Sequence, residues 1–406
     1  MTKPMQGVRV LEVAEHTFVP AASALLADWG AEVIKIEHVE RGDAMRGIVS
    51  SGTMAMLGSV NVLLEHSNRG KQSLGLDLTS PDGLDILRKL AVTCDVFLTN
   101  KLPGVLAKLH ITVDEIREAN PNIIYVRGTG QGSRGPDADK GAYDSLAYWA
   151  RSGAQWGAFR PEYDDLIPSQ SGPGFGDSIG AMTIAGGIMG ALYHRERTGE
   201  ATVVDVSLFG TGVWAMGQAM SLSLLVGEPW RAPSADQMNT NPLVGFYRTS
   251  DDRWVAICCL QGAHYWPLFC ETVGRSDLAT DERFVGHEAY TANSQAGRQI
   301  LIDLFAERPL AEWRAVLADF VGQWTVVQHT HEVAEDPQTL ANGYVQDIVT
   351  ADGVPVRLAA APVQFDEEAP QPGRAPAFNE HGDDILQSIG LDWDTIVDLK
   401  VRGVVA

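Results

Sequence analysis

The sequence predicts an α/β protein: a large domain on a mainly parallel, doubly wound sheet, followed by a smaller α+β domain. Three observations lead there. Short aliphatic and β-branched runs alternate with helix-length stretches from Val8 to Leu225, the pattern of repeated β-α-β units. The break Gly227-Glu-Pro-Trp-Arg-Ala-Pro then interrupts it, and the texture changes from about Asn241. A proline-rich stretch begins near Glu332. With 406 residues and about 150 per domain, two or three domains are expected, and the boundaries fall at 1–226, 227–331 and 332–406.

Val8–Val13 is a buried-strand pattern, Pro20–Trp29 a helix opened by proline, and Ala31–Glu37 the next strand. The unit recurs as strand Ser73–Leu78, helix Leu84–Ala91 behind Ser80-Pro-Asp-Gly, and strands Asp95–Thr99 and Asn122–Arg127. A long small-residue helix is expected over Ile179–Arg197, ended by Arg195, Arg197 and Gly199. A short strand, Thr202–Ser207, and one apolar helix, Leu208–Leu225, complete the large domain. In the smaller domain, strands Val244–Thr249 and Arg253–Cys258 flank the turn Ser250-Asp-Asp, and helices run over Ser294–Arg308 and Leu310–Val321. The last part is expected to be irregular, ending in a polar helix near His381–Ile389.

Composition narrows the function. A net charge of −21 argues against nucleic acid or an anionic membrane as partner, while leaving room for a local basic patch around an anionic small molecule. The cysteines Cys94, Cys258, Cys259 and Cys270 show neither metal spacing nor a disulfide framework, and the histidines lack metal-like pairing, so no metal is expected. No apolar run is expected to reach membrane-spanning length and no signal-peptide core is seen, which makes the cytoplasm the expected compartment.

Ligands of such sheets bind beyond the carboxyl ends of the strands. Here those ends are Ala14–Phe18, His38–Arg41, Leu78–Thr79, Asn100–Lys101 and Gly128–Gly132. A dinucleotide is not expected. The first turn, Ala-Glu-His-Thr-Phe-Val-Pro, holds no glycine, and the formal G-x-G-x-x-G at Gly130–Gly135 runs into Pro136 instead of a helix.

Chemistry is expected at Ser171-Gly-Pro-Gly-Phe-Gly-Asp-Ser178, where a glycine- and proline-broken loop lets backbone approach a ligand. Asp177 then stands at the helix N-cap, where N–H groups and the helix dipole favour an ionised carboxylate. By pattern alone such an acid is more often a structural cap. The preceding loop and the resemblance described next favour the functional role.

Several stretches together resemble the family III CoA-transferases, which include formyl-CoA transferase-like enzymes and the related α-methylacyl-CoA racemases. They are Leu-Ala-Asp-Trp-Gly-Ala-Glu-Val-Ile-Lys-Ile-Glu (26–37), Arg-Gly-Asp (41–43), Asn-Arg-Gly-Lys-Gln-Ser (68–73) and Leu-Asp-Leu (76–78). Phe-Gly-Asp-Ser (175–178), Arg-Glu-Arg-Thr-Gly-Glu (195–200), Val-Asp-Val-Ser-Leu (204–208) and the C-terminal run between Arg374 and Leu386 follow in the same order. The resemblance implies a Rossmann-like large domain, a small domain, a C-terminal segment returning to the large one, and an interlocked homodimer.

It also implies a nucleophile at Asp177 and coenzyme A as a substrate, with no permanently bound cofactor. The implied CoA contacts are Thr17, Phe18, His38, Leu76, Asp77, Leu78, Asn100, Lys101, Lys108 and Tyr143. Two of these depart from the family: His38 stands where arginine is frequent, and Thr17 replaces a glutamine. The phosphates need cations, for which Arg41, Arg46, Lys71, Lys101 and Lys108 are the nearby supply, though each alone is more commonly a solvated surface charge.

The implied reaction passes CoA from an acyl-CoA to a small carboxylic acid through an aspartyl anhydride and an aspartyl-CoA thioester. The racemase branch carries a Gly-His-Asp motif, for which this chain has Gly141-Ala-Tyr143-Asp144. Tyrosine, with an ordinary pKa near 10, is a poor base at neutral pH, so transfer is preferred to α-epimerisation. Tyr143 also fits as a plain packing aromatic, and a non-catalytic acyl-CoA-binding homologue stays open. The loop Trp149–Gln170, with Trp156, Phe159, Arg160 and Tyr163 beside Glu162, Asp164 and Asp165, is a candidate wall of the acyl pocket. Arg160 is a candidate partner for a second carboxylate.

Overall fold

A computed structural model describes residues 2–51, 60–159, 168–232 and 240–406. Among these, the residues up to Arg231 and from Pro337 onward form one compact unit, and those from Ala232 to Asp336 another.

The first unit runs β1 (Arg9–Val13), α1 (Phe18–Asp28), β2 (Glu32–His38), α2 (Val62–Asn68), β3 (Gln72–Leu76), α3 (Pro81–Val92) and β4 (Val96–Thr99). It continues with α4 (Pro103–Lys108), α5 (Val113–Ala119), β5 (Ile124–Thr129), α6 (Ala154–Ala158), α7 (Phe175–Thr198), β6 (Val203–Ser207), α8 (Leu208–Ala215) and α9 (Gly217–Val226). The six strands pair in parallel in the order β3-β2-β1-β4-β5-β6.

Both faces of the sheet are covered because successive side chains of a strand point to opposite sides. Val10, Val33, Val96, Leu98, Ile124 and Val126 enter the core that contains α1 and α7. Their neighbours Leu11, Ile34, Phe97 and Tyr125 enter the core that contains α3. Strand order reverses between β1 and β4, so the carboxyl ends of those two strands open a crevice.

α1 packs closely on α7 at Gly180 and on β5 at Gly128. A Cβ on Gly180 would lie 2.4 Å from Phe18 Cε2, and one on Gly128 would lie 2.1 Å from Val19 Cγ2. Only glycine admits this approach. At 24 residues, α7 has the length and apolar content of a membrane span, contrary to the expectation that no run would reach it. Gly180, Ala181, Ile184, Ala185 and Ile188 on it are buried.

Two further expectations are corrected. α7 begins at Phe175, not Ile179, because Gly174 takes the cap position with φ of 63° and Phe175 and Gly176 are already helical. The apolar stretch 208–225 is two helices, bent by 64° at Met216. Ser207 caps α8 by accepting the Gly210 N–H at 2.9 Å.

The second unit carries an antiparallel sheet of β7 (Val244–Arg248), β8 (Trp254–Cys258) and β9 (Trp324–Val326) on helices whose core includes Trp266, Phe269, Phe305 and Trp313. The tail is more regular than expected: β10 (Val345–Val349) and β11 (Pro355–Ala359) form a hairpin, and helices follow at Gly382–Ser388 and Trp393–Val401. It returns to the outer strand of the large sheet. Asn379 accepts the Gly75 N–H at 3.0 Å, and the Asp77 N–H donates to the Val404 carbonyl at 2.9 Å.

Candidate active site

A buried ion network underlies the crevice. Glu12 on β1 accepts from Lys35 Nζ at 2.7 Å and Lys71 Nζ at 2.8 Å, and Lys35 also reaches Asp43 at 2.7 Å. Asp43 in turn accepts the His16 and Met45 N–H groups at 3.0 and 2.8 Å. Its own N–H donates to Glu37, which receives a two-pronged Arg46 at 2.7 Å on each oxygen.

Three carboxylates, Glu12, Glu37 and Asp43, face three cations, Lys35, Lys71 and Arg46, so the buried charge is balanced. Burial works against the Glu12 carboxylate, yet Lys35 and Lys71 hold it below the usual range. Burial also opposes the Lys35 ammonium, but Asp43 and Glu12 together raise it. Lys71 has Glu12 as its close carboxylate, and burial prevails there, drawing it down to about 8.

The network has a consequence for the site. His16 is held with φ of 69°, a left-handed conformation few non-glycine residues adopt, and the Asp43 hydrogen bond fixes it there. The His16 ring meets Tyr143 edge-on with centroids 5.6 Å apart. Asn100 ties the same loop to β4, accepting the Glu15 N–H at 3.2 Å and donating to the Glu15 carbonyl at 2.7 Å.

Two cavities open on this loop. One, of about 600 Å³, is lined by Glu15, Phe18, Arg41, Asn100, Lys101, Gly128 and Gly130, beyond the ends of β1, β4 and β5. The other, of about 770 Å³, has an apolar wall of Ala44, Met45, Ile48 and Leu63 facing Thr17, His66, Gln170 and Ser178. His16, Tyr143 and Asp177 line both. A smaller pocket of about 210 Å³ adjoins the first through Glu15, Arg41 and Lys101 and reaches Glu37, His38, Leu76, Asp77 and Leu78.

Asp177 therefore stands where the cavities meet. It lies in the first turn of α7, three residues beyond the cap, not at the cap itself. Its carboxyl is not held ionised as expected of a cap: burial, with the nearby Asp144 carboxylate adding to it, pushes it up to about 7. A carboxylate so poised is ionised in part at neutral pH and weakly solvated when it is, which suits a nucleophile.

Of the implied CoA contacts, Thr17, Phe18, His38, Leu76, Asp77, Leu78, Asn100, Lys101 and Tyr143 all line one or more of these spaces. Lys108 is exposed on α4 and lines none of them. Two of the proposed phosphate cations are committed elsewhere: Lys71 is buried against Glu12, and Arg46 is bound to Glu37. Lys101 is paired with Glu15, while Arg41 lies 3.9 Å from the same carboxylate and is largely exposed. Arg160, Glu162, Tyr163, Asp164 and Asp165 lie outside the described residues. Sequence reasoning did not single out His16, Asp43 or Asp144 for a role. The available signal was Asp144 directly after Tyr143, and Asp43 in the Arg-Gly-Asp stretch.

The sequence profile of CoA-transferase family III matches residues 5–382. The chain belongs to CoA-transferase family III. Members of the family pass CoA between an acyl-CoA and a carboxylic acid, so the enzyme class expected from the sequence holds. Among family III relatives, the (R)-2-hydroxy-4-methylpentanoate CoA-transferase of Clostridioides difficile is 30% identical over 99% of this chain and 99% of its own. The cinnamoyl-CoA:phenyllactate CoA-transferase of Clostridium sporogenes is 28% identical over 98% and 96%. A crystal structure of a CaiB/BaiF family protein from Brucella suis superposes with a TM-score of 0.79 and 28% identity over 96% of this chain and all of that one.

Proposed function

We propose that this family III enzyme transfers CoA from an acyl-CoA to a carboxylic acid through covalent intermediates on Asp177. The observation that carries the proposal is that Asp177, alone among the carboxylates of the described residues, borders both cavities, with its pKa raised to about 7. CoA occupies the carboxyl ends of β1 to β4, and the acyl group enters the larger cavity. Its wall of Ala44, Met45, Ile48 and Leu63 suits a hydrocarbon body. The substrates named for these two relatives, (R)-2-hydroxy-4-methylpentanoate in one and cinnamoyl-CoA and phenyllactate in the other, have such bodies.

The ionised Asp177 oxygen attacks the thioester carbonyl, the C–S bond breaks, and CoA leaves as thiolate from a mixed anhydride. The thiolate attacks the Asp177 carbonyl carbon, releasing the first acid as carboxylate and leaving an aspartyl-CoA thioester. An acceptor carboxylate attacks that thioester, forming a second anhydride, and the thiolate then takes the acceptor's acyl carbon. Asp177 is regenerated as carboxylate, and no net proton moves.

Epimerisation merits a direct test because an imidazole, His16, borders both cavities beside Asp177. With a panel of acyl-CoAs and acids in deuterated water, CoA should appear on the acceptor acid. Rapid α-deuteration without passage of CoA would contradict the proposal.

The same proposal takes the chain as a homodimer. On α8 and α9 the side chains of Trp214, Leu224, Leu225 and Val226 are exposed, an apolar surface that a second copy would cover. Sedimentation at nanomolar concentration should give twice the 43.9 kDa chain mass, and an active monomer would count against the dimer.

A further inference from the structure

Asp144 is not used by the mechanism above, yet it is built into the site. It is 5% exposed and immediately precedes a π-helical turn, Ser145–Ala150. Its Oδ2 accepts the Gly176 N–H at 3.0 Å, and the Asp177 N–H is turned towards the same carboxylate. The helix cap residue, Gly174, provides no side-chain acceptor of its own. Asp144 therefore does for α7, from more than thirty residues away, what an N-cap side chain ordinarily does. Its other oxygen, Oδ1, is buried and has no hydrogen-bond partner among the described residues. Gly176 is glycine for the same reason: a Cβ there would lie 2.3 Å from Tyr148 Cγ and 2.4 Å from Asp144 Oδ1.

We propose that Asp144 is a positioning residue for Asp177: by capping the amino end of α7 it fixes the first turn so that the Asp177 carboxylate faces the junction of the two cavities. A neutral acceptor would serve the cap equally well. The carboxylate adds a negative charge beside a second acid, and an unpaired buried oxygen is tolerated where it acts on a neighbour. Among the described residues, the other titratable or charged groups around the pair are Tyr143 and Tyr148 on the Asp144 segment, His16 after β1, His66 on α2, and Glu15, Arg41 and Lys101 across the smaller of the two cavities. The inference rests on the reading of Asp177 as the nucleophile.

The test needs no substrate. Labelling by a water-soluble carbodiimide, followed on the Asp177 peptide by mass spectrometry across pH, gives the midpoint of Asp177 ionisation. Asp144→Asn keeps an acceptor for Gly176 and removes the charge, so the midpoint should fall by about one pH unit. Amide exchange in the first turn of α7 should stay as in the wild type for Asp144→Asn and quicken about tenfold for Asp144→Ala, which removes the acceptor. Gly176→Ala, which displaces Asp144, should quicken it too. An unmoved midpoint in Asp144→Asn, or unmoved exchange in Asp144→Ala, overturns the inference. Should Asp144→Ala not fold, the Asn and Gly176 variants decide. Failure of the nucleophile reading shows separately, as transfer retained by Asp177→Asn.

Discussion

Asp177→Asn is expected to lower CoA transfer by about ten-thousandfold or more, the scale on which losing a covalent nucleophile is felt. The amide nearly preserves shape but has no charged oxygen with which to form the anhydride. The same substitution should stabilise the fold, and the pH at which it does so is diagnostic. The Asp177 carboxyl ordinarily ionises near 3.8 and in the folded protein near 7, because burial and then Asp144 disfavour its charge. Below the unfolded value it is protonated in both states and contributes no penalty. As pH rises from 4 to 7 the unfolded chain loses the proton and the folded chain keeps it, so stability falls, and above 7 the penalty is complete. Urea unfolding at pH 8 should therefore show Asp177→Asn more stable by about 2–4 kcal/mol, a gain that disappears near pH 4. Transfer by the wild type should rise with pH through the same region.

The second large effect belongs to the ion network. Glu12→Gln leaves Lys35 and Lys71, both fully buried, without their shared carboxylate. Removing one partner of a buried charge group costs about 3–5 kcal/mol, far more than the loss of an exposed pair. Lys35 keeps Asp43 at 2.7 Å, whereas Lys71 is left with the Pro20 carbonyl and Asn68. The damage should therefore centre on Lys71, and adding Lys71→Met to Glu12→Gln should recover part of it. Urea unfolding at pH 7 checks both; a loss within about 1 kcal/mol for Glu12→Gln would show the network to be far less important than its burial implies.

The strands were legible because runs such as Val-Arg-Val-Leu-Glu-Val and Asp-Val-Phe-Leu-Thr carry their own signal, and parallel order followed from the alternation with helices. The charged residues in and beside them were not legible. Glu12, Lys35 and Lys71 look in sequence like ordinary solvated charges, and Lys71 and Arg46 even looked like phosphate ligands. Only the closing of β1, β2 and β3 side by side turns them inward on one another.

The site was half legible. Asp177 stood out behind its glycine-rich loop, but Gly-Pro-Gly-Phe-Gly reads as a helix breaker. Nothing local shows that Asp144, distant in sequence, supplies the missing cap and lets the helix begin at Phe175. The break between α8 and α9 was likewise hidden, since Met216-Gly217 lies inside a predominantly apolar stretch without proline or a charged residue.

The covalent role of Asp177 is tested most directly by the mass of its own peptide. The protein should be mixed with an acyl-CoA it turns over, quenched within a turnover, digested and analysed. The account predicts CoA or acyl mass on the peptide carrying Asp177, its conversion to a hydroxamate by hydroxylamine, and neither in Asp177→Asn. An unmodified peptide in enzyme that is actively transferring CoA would contradict it.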